Sequence, residues 1–600
     1  MIERESMKRQ VFIYTLGAII GVISGITAVL FRFLILAISN VFVLIPQYLG
    51  ILGWIALPAI GGLIVAFIVV RYAPEAKGHG VPEVMAAYSL QGGKIRFRVP
   101  ILKSLASAIS ISSGGSCGRE GPIAQIGAGA GSAVAEIFKL EKRERKTLLV
   151  CGLASGIAAT FNAPLGGALF GIEVLAGGII GFSILPVILS SVIATALADF
   201  ILGNNVSFQA PLFTMGHPLV LVFYLALGVI LGVTSVIWMR GFYSIEDLLE
   251  RIRVSRYILP AIGGVLTGLL ALMTIYFEGV FAYTGEFSAG LPYYPAIMGV
   301  GYGFIDATLI GNVALGALLL FGVLKILATS FTLGSGGSGG VFAPTLFIGA
   351  AFGGALGTVF AFVVPWAVPQ PMAFALVGMA ALFAGSGRAP ITCIVMLMEM
   401  TADYSLILPL MIAVSTSYLV SSLIEPESIY TMKLARRGVH LQRGSHIEVL
   451  KTIRVDEIMT TTPTVLAPEM TVPEVYAIID ETHHTKFPVI DDENKVIGIL
   501  IAEDLFQEQK EDGRENHVRD LMNPDFLHLS PGCTMDGALQ AMIKRDEGHA
   551  VIVDPTSPNQ MIGYITKADV LKAYEISILR LQKTGIDVED INPADIIDVP

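Results

Sequence analysis

Cysteine is scarce in this chain. The four present, Cys117, Cys151, Cys393 and Cys533, are scattered, and three of them lie in apolar runs. Neither a disulfide framework nor a metal-ligand spacing follows from them. Charge is scarce as well. Only 15% of the residues are Asp, Glu, Lys or Arg, and the mean hydropathy is +0.70. That balance excludes an ordinary soluble enzyme and describes a chain that crosses a membrane many times. Basic residues interleaved with aromatics are missing, so no nucleic-acid partner is indicated. Metal clusters, nucleophile–base pairs and cofactor loops are missing too, and nothing predicts an enzyme. A removable signal is not predicted either. Arg4, Lys8 and Arg9 run directly into an uncharged stretch, 10–31, with no small-residue cleavage site. The same basic residues predict a cytoplasmic N-terminus.

What charge there is falls unevenly. Residues 441–600 hold 14 Lys and Arg against 29 Asp and Glu, a net of −15. The remainder, 1–440, holds 25 and 20, a net of +5. The acidic balance therefore belongs to a water-soluble tail. The predicted organisation is a membrane domain over 1–440, a linker over 441–454, two small modules over 455–510 and 517–576, and an acidic end over 577–600. Several uncharged stretches exceed the length of one spanning helix of about 20 residues and are cut by Gly and Pro.

The membrane part is organised around Ser113–Gly131. Between Ser104 and Ala135 the only ionisable side chains besides Cys117 are Arg119 and Glu120. A charged pair in such a run is a functional candidate, because placing charge in hydrocarbon is expensive. Flanking glycines and Pro122 break the helix and free backbone N–H groups on which an anion could sit. The stretch recurs at an offset of 222 as Ser335–Gly353, with Val341-Phe342 in place of Arg119-Glu120. Other matches keep their order: Leu57–Gly62 returns as Leu259–Gly264, and Ala163-Pro164 and Glu173 return as Ala389-Pro390 and Glu399. Gly78-His79-Gly80 is echoed by Gly301-Tyr302-Gly303. Small residues also recur merely to let helices pack, but an ordered series with an identical hexapeptide predicts two repeats, about 10–200 and 218–424. Such halves are typical of transporters whose site lies where discontinuous helices meet.

The tail is a second duplication. Val455–Met459 matches Val518–Met522, and Gly498 and Asp504 match Gly563 and Asp569. Each copy reads as a short strand, an amphipathic helix, two apolar strands and a second helix.

The motifs Gly78-His79-Gly80-Val81-Pro82, Gly118-Arg119-Glu120-Gly121-Pro122 and Gly340-Val341-Phe342-Ala343-Pro344, followed by Tyr430, stand in order. On these the membrane part resembles the CLC family of chloride channels and proton-coupled chloride transporters. The tail looks like a pair of CBS modules. The fold this implies is mainly α, a polytopic membrane protein with inverted repeats, carrying a cytoplasmic α/β CBS pair. The resemblance also implies a homodimer in the lipid bilayer of the plasma membrane, with one pore per subunit and chloride as the transported ion. Carried over, Glu120 is the gating carboxylate; the alternative is a plain ion pair with Arg119. Gly118, Arg119, Gly121 and Pro122 are structural around it. Chloride is held by the loop at His79 and Gly80, by the N–H groups of Val341 and Phe342, and by the Tyr430 hydroxyl, which also forms an inner gate. The alternatives are a packed kink at Gly340–Pro344 and an interfacial tyrosine at 430. In the tail, Thr566 and Asp569 resemble the segment that binds an adenine nucleotide (ATP, ADP or AMP); otherwise the pair is a dimerisation module.

Two positions depart from the family pattern. His79 stands where members often have Ser, which opens the anion preference and the pH response. Val174 stands where proton-coupled members generally carry a second, inward-facing glutamate. Valine carries no proton, so the expectation is a gated, voltage-dependent chloride channel regulated by its CBS domains. The alternative is a proton-coupled chloride antiporter; a third reading is a CBS-regulated divalent-cation transporter. Glu173 and Glu399 read as structural carboxylates at helix ends.

Overall fold

A computed structural model describes residues 2–177, 184–203, 207–208, 213, 217–280, 294–437, 439, 450, 453–503, 505, 516–557 and 560–583. Asp504 and most of the expected linker and acidic end lie outside them. The chain divides into two compact units, one spanning Met1–Leu434 and the other holding most of the C-terminal remainder.

The elements of the first unit are helices among the described residues, and they come in two matching series. Ile2–Phe42, Gly53–Tyr72, Val81–Leu90, Arg98–Ser112, Glu120–Ile137, Lys142–Phe161, Pro164–Phe170 and Ile184–Leu202 form the first. Val220–Glu250, Leu259–Val280, Tyr302–Leu309, Leu315–Gly334, Phe342–Val363, Ala373–Gly387, Pro390–Thr401 and Ile407–Ile424 form the second. Seven helical stretches among the described residues are long and apolar enough to cross a membrane. Others are shorter, because prolines at Pro82, Pro164 and Pro390 start them, and the preceding turns end on residues at positive φ, Gly80, Asn162 and Arg388.

Contacts between the series are reciprocal, as a twofold relation requires. Ser107 Oγ meets Ser338 Oγ at 2.8 Å, and Ser116 Oγ meets Thr329 Oγ1 at 2.9 Å. Each pair is the other's image at the offset of 222. A Cβ on Gly62 would strike the Pro260 carbonyl, and one on Gly264 the Pro58 carbonyl. Helices also close on each other at Gly127–Gly152 and, in the second series, at Gly349–Gly378. Small residues at these crossings let backbones touch, which supplies the dispersion energy that holds helices together in lipid.

The second unit holds two small sheets. Strand β1 (Lys486–Ile490) pairs antiparallel with β2 (Val496–Ile501). In the second copy β3 (His528–Leu529) runs parallel to β4 (His549–Val553), which pairs antiparallel with β5 (Met561–Thr566). The expected first strand of copy one is reduced to a single bridge, Leu466 to Val489, because Pro463 and Pro468 deprive that segment of ladder donors. Helix Val472–Thr482 opens on a Thr471–Glu474 capping box, and Met535–Arg545 opens on Thr534, whose oxygen accepts from Gly537 N–H at 3.2 Å. Val496 and Ile499 of one copy pack with Val551 and Tyr564 of the other.

Candidate anion pathway

Three helix breaks converge in the first unit. Gly78 N–H donates to Gly337 O (2.8 Å), and Gly339 N–H returns a bond to Gly78 O (3.2 Å). Gly118 and Gly340 exchange both bonds at 2.7 Å. These bridges fix where Glu120–Ile137 and Phe342–Val363 begin. Their first internal bonds are Ile123 N–H to Arg119 O (3.1 Å) and Thr345 N–H to Val341 O (3.0 Å). The N–H groups of Glu120 and Gly121, and of Val341, Phe342 and Ala343, therefore precede the helical ladder, at ends that carry partial positive charge.

Glu120 is fully buried at this junction. Its Oε1 accepts from the Tyr302 hydroxyl at 2.5 Å. Oε2 fills the space that a Cβ on Gly118 would take, beside the backbone N of Ala343. It is buried with no hydrogen-bond partner among the described residues, while the N–H groups of Glu120 and Ala343 face the carboxylate. The alternative of a plain ion pair with Arg119 is not what forms. The Arg119 guanidinium lies over the Tyr302 ring, 5.5 Å from its centroid. A carboxylate thus lies in the mouth of a helix N-terminus, where a free anion would be stabilised by the same dipoles.

On the other side of the breaks stand His79 and Tyr430, each 2% exposed. Their ring centroids are 5.9 Å apart. Tyr430 is buried rather than interfacial, and Lys433 nearby in the chain pairs with Glu83 at 3.1 Å. The Tyr243 hydroxyl donates to Ile429 O at 2.7 Å; its oxygen is 3.2 Å from His79 Nε2, which makes that nitrogen the donor. Gly80, with φ +79°, turns the chain from His79 into the helix Val81–Leu90. The Phe342 side chain packs against Phe161 (4.9 Å) and Phe383 (4.2 Å). Phe170 and Phe383 reach on to Tyr430 at 6.3 and 6.5 Å. The result is an aromatic wall between the Phe342 helix end and Tyr430.

A family model described as voltage gated chloride channel matches residues 61–422. A putative chloride channel protein, ClcB-like, of Ralstonia nicotianae is 30% identical over 63% of this chain and 85% of its own length. The H(+)/Cl(-) exchange transporter ClcA of Yersinia pestis is 31% identical over 72% of this chain and 88% of its own. This chain belongs to the CLC family. The crystal structure of a eukaryotic CLC transporter shares the fold, with a TM-score of 0.59 at 19% identity, over 94% of this chain and 98% of that one. CBS domain models match 455–511 and 518–576. The divalent-cation reading gives way to membership of this family, and the CLC chain is an integral membrane protein.

Val174 is buried in the π-turn Gly171–Leu175. Glu173, beside it, accepts from Thr392 N–H (2.8 Å) and Thr392 Oγ1–H (2.7 Å). Its mate Glu399 accepts from Gly166 N–H (2.7 Å) and Leu165 N–H (3.0 Å). Each glutamate caps the proline-started helix of the other repeat, the structural role expected of both. In the tail, Thr566 N–H and Oγ1–H both donate to Asp569 Oδ2 at 2.8 Å. The two expected nucleotide contacts are thus adjacent and already joined as the cap of helix Lys567–Lys583.

Buried lysines escaped the sequence reading. Lys103 donates to the carbonyls of Ala76 (3.0 Å) and Gly78 (2.7 Å), and Lys325 to those of Ile297 and Gly299 (3.0 Å each). Their separation of 222, that of the glycine motifs, is the signal that marks them. They also correct the echo between repeats. Gly78 and Gly80 correspond to Gly299 and Gly301, both pairs at positive φ, so Tyr302 is the image of Val81 and not of His79.

Proposed function

We propose that this CLC protein exchanges chloride for protons, with Glu120 as the group that both ions share. One observation carries the proposal: a fully buried carboxylate lies against N–H groups of helix ends that precede the helical ladder. Such a carboxylate takes an anion's place when charged and leaves it when protonated. Chloride and proton then contend for one seat, which is what coupling requires. The exchanger name carried by the Yersinia relative supports the same reading. Chloride would pass the N–H groups of Val341 and Phe342, whose dipoles offset lost hydration without trapping the ion, then the Tyr430 hydroxyl and the loop at His79 and Gly80. The protein would work as a homodimer in the plasma membrane, N-terminus and CBS pair in the cytoplasm, with an adenine nucleotide at Thr566 and Asp569.

Val174 favours a second reading, gated passive conduction. Glu173 is committed to the Pro390 helix, so it offers no ready replacement for the missing inner acid. Sealed proteoliposomes distinguish the two. An outward chloride gradient is expected to drive protons uphill into exchanging vesicles. Chloride flux without any proton movement would assign the channel.

A further inference from the structure

Tyr302 has no counterpart in the first repeat, where Val81 holds its place. It opens the helix Tyr302–Leu309, directly after Gly301 at φ +86°. That start is fixed from below, because Lys325 holds the carbonyls of Ile297 and Gly299. The ring is clamped on its faces. Arg119 lies over it at 5.5 Å, and the Phe208 ring meets it edge-on at 5.4 Å. A phenol held this firmly has its hydroxyl direction set, and that hydroxyl points at Glu120 Oε1, 2.5 Å away. We propose that Tyr302 is a latch on Glu120: its hydroxyl bond holds the carboxylate in its seat and so sets the pH at which the pathway opens.

The physical basis is that a hydroxyl donates well to a carboxylate and poorly to the protonated acid's carbonyl. The latch therefore acts on the charged, seated form and releases on protonation. Other titratable or charged groups around the pair are Arg119 and Cys117 from the same loop, Lys325 from helix Leu315–Gly334, Tyr430 and His79 from across the breaks. Among the described residues only Tyr302 has a side chain hydrogen-bonded to the carboxylate. Tyr302 touches Glu120 and not the reacting ions, so it is a positioning residue.

The inference rests on Glu120 being the gate, and its test separates the two. Chloride efflux from proteoliposomes is measured from pH 4.5 to 7.5 for the full chain, Tyr302→Phe, Glu120→Gln and the double variant. Losing the hydroxyl is expected to raise flux at pH 7.5 about tenfold, the size of one charge-assisted hydrogen bond, and to move the acid-activated limb about one unit upward in pH. In the Glu120→Gln background the same substitution is expected to change nothing. Tyr302→Leu, which also lacks the donor, carries the same expectation should the phenylalanine variant not assemble. A single-variant profile that superimposes on the parent overturns the latch and leaves the gate standing. An equal effect with and without Glu120 overturns it too, because the tyrosine would then act on the pore by bulk alone. Full pH dependence surviving in Glu120→Gln overturns the gate and the latch together.

Discussion

A methyl group on Gly118 would stand where Glu120 Oε2 lies and would press on the Ala343 N and Cβ at 3.2 and 3.1 Å. The glycine is needed there for close approach rather than for its backbone freedom. Gly118→Ala is therefore expected to close the seat to carboxylate and chloride alike, lowering chloride efflux at pH 7.5 and flattening its pH profile. A parental efflux curve would show the carboxylate seated elsewhere. In the tail His549 is 4% exposed and faces Tyr564 at 6.1 Å. Burial and then the nearby Lys486 lower its pKa from the ordinary 6.5. Folded His549 thus binds its proton less readily than the unfolded chain does. Its contribution to the tail's stability is complete above about pH 6.5 and is lost as pH falls through the lower folded value. Thermal unfolding of the CBS unit followed from pH 7.5 to 5 should show this loss, and His549→Gln should reduce the slope.

At the scale of elements, the crossed carboxylate caps explain how two short proline-started helices stay placed. Glu173 bonds to the start of Pro390–Thr401 and Glu399 to that of Pro164–Phe170. Glu173→Gln keeps the shape but replaces a charged acceptor pair with one neutral oxygen, and should lower stability by about 1–3 kcal/mol. Melting of the detergent-solubilised protein, a few degrees lower than the parent, is the expected reading; an unchanged midpoint would mean the caps are redundant. These carboxylates were legible as structural because they repeat beside Ala-Pro pairs at one offset. The broken helices were legible because glycine and proline leave local marks. The partner of Glu120 was not: Tyr302 lies 182 residues further on, and its helix is reached only after the lysine-held turn at Gly299 is recognised. Aromatic rings that converge from 161, 170, 342, 383 and 430 leave no local pattern either.

For the whole molecule, duplication carries most of what could be read in advance. An offset kept at 222 across the Arg98–Ser112 and Leu315–Gly334 helices, and the breaks after them, means that buried contacts constrain both copies alike. Lys103→Met and Lys325→Met should therefore fail alike. Each removes two hydrogen bonds to buried carbonyls, a loss of about 1–3 kcal/mol per bond, seen as reduced recovery of folded protein by size exclusion. Repeats diverge where the proposed exchange would handle its ions: Arg119-Glu120 corresponds to Val341-Phe342, and Tyr302 to Val81. One copy supplies the carboxylate and the other supplies the donors that receive it. The most direct check on that division is anomalous diffraction from crystals grown in bromide. Parental protein should show no bromide at the mouth of the Phe342 helix beside Gly118, and Glu120→Gln should show a bromide peak there. An equal peak in both, or in neither, would contradict a carboxylate that stands in the anion's place.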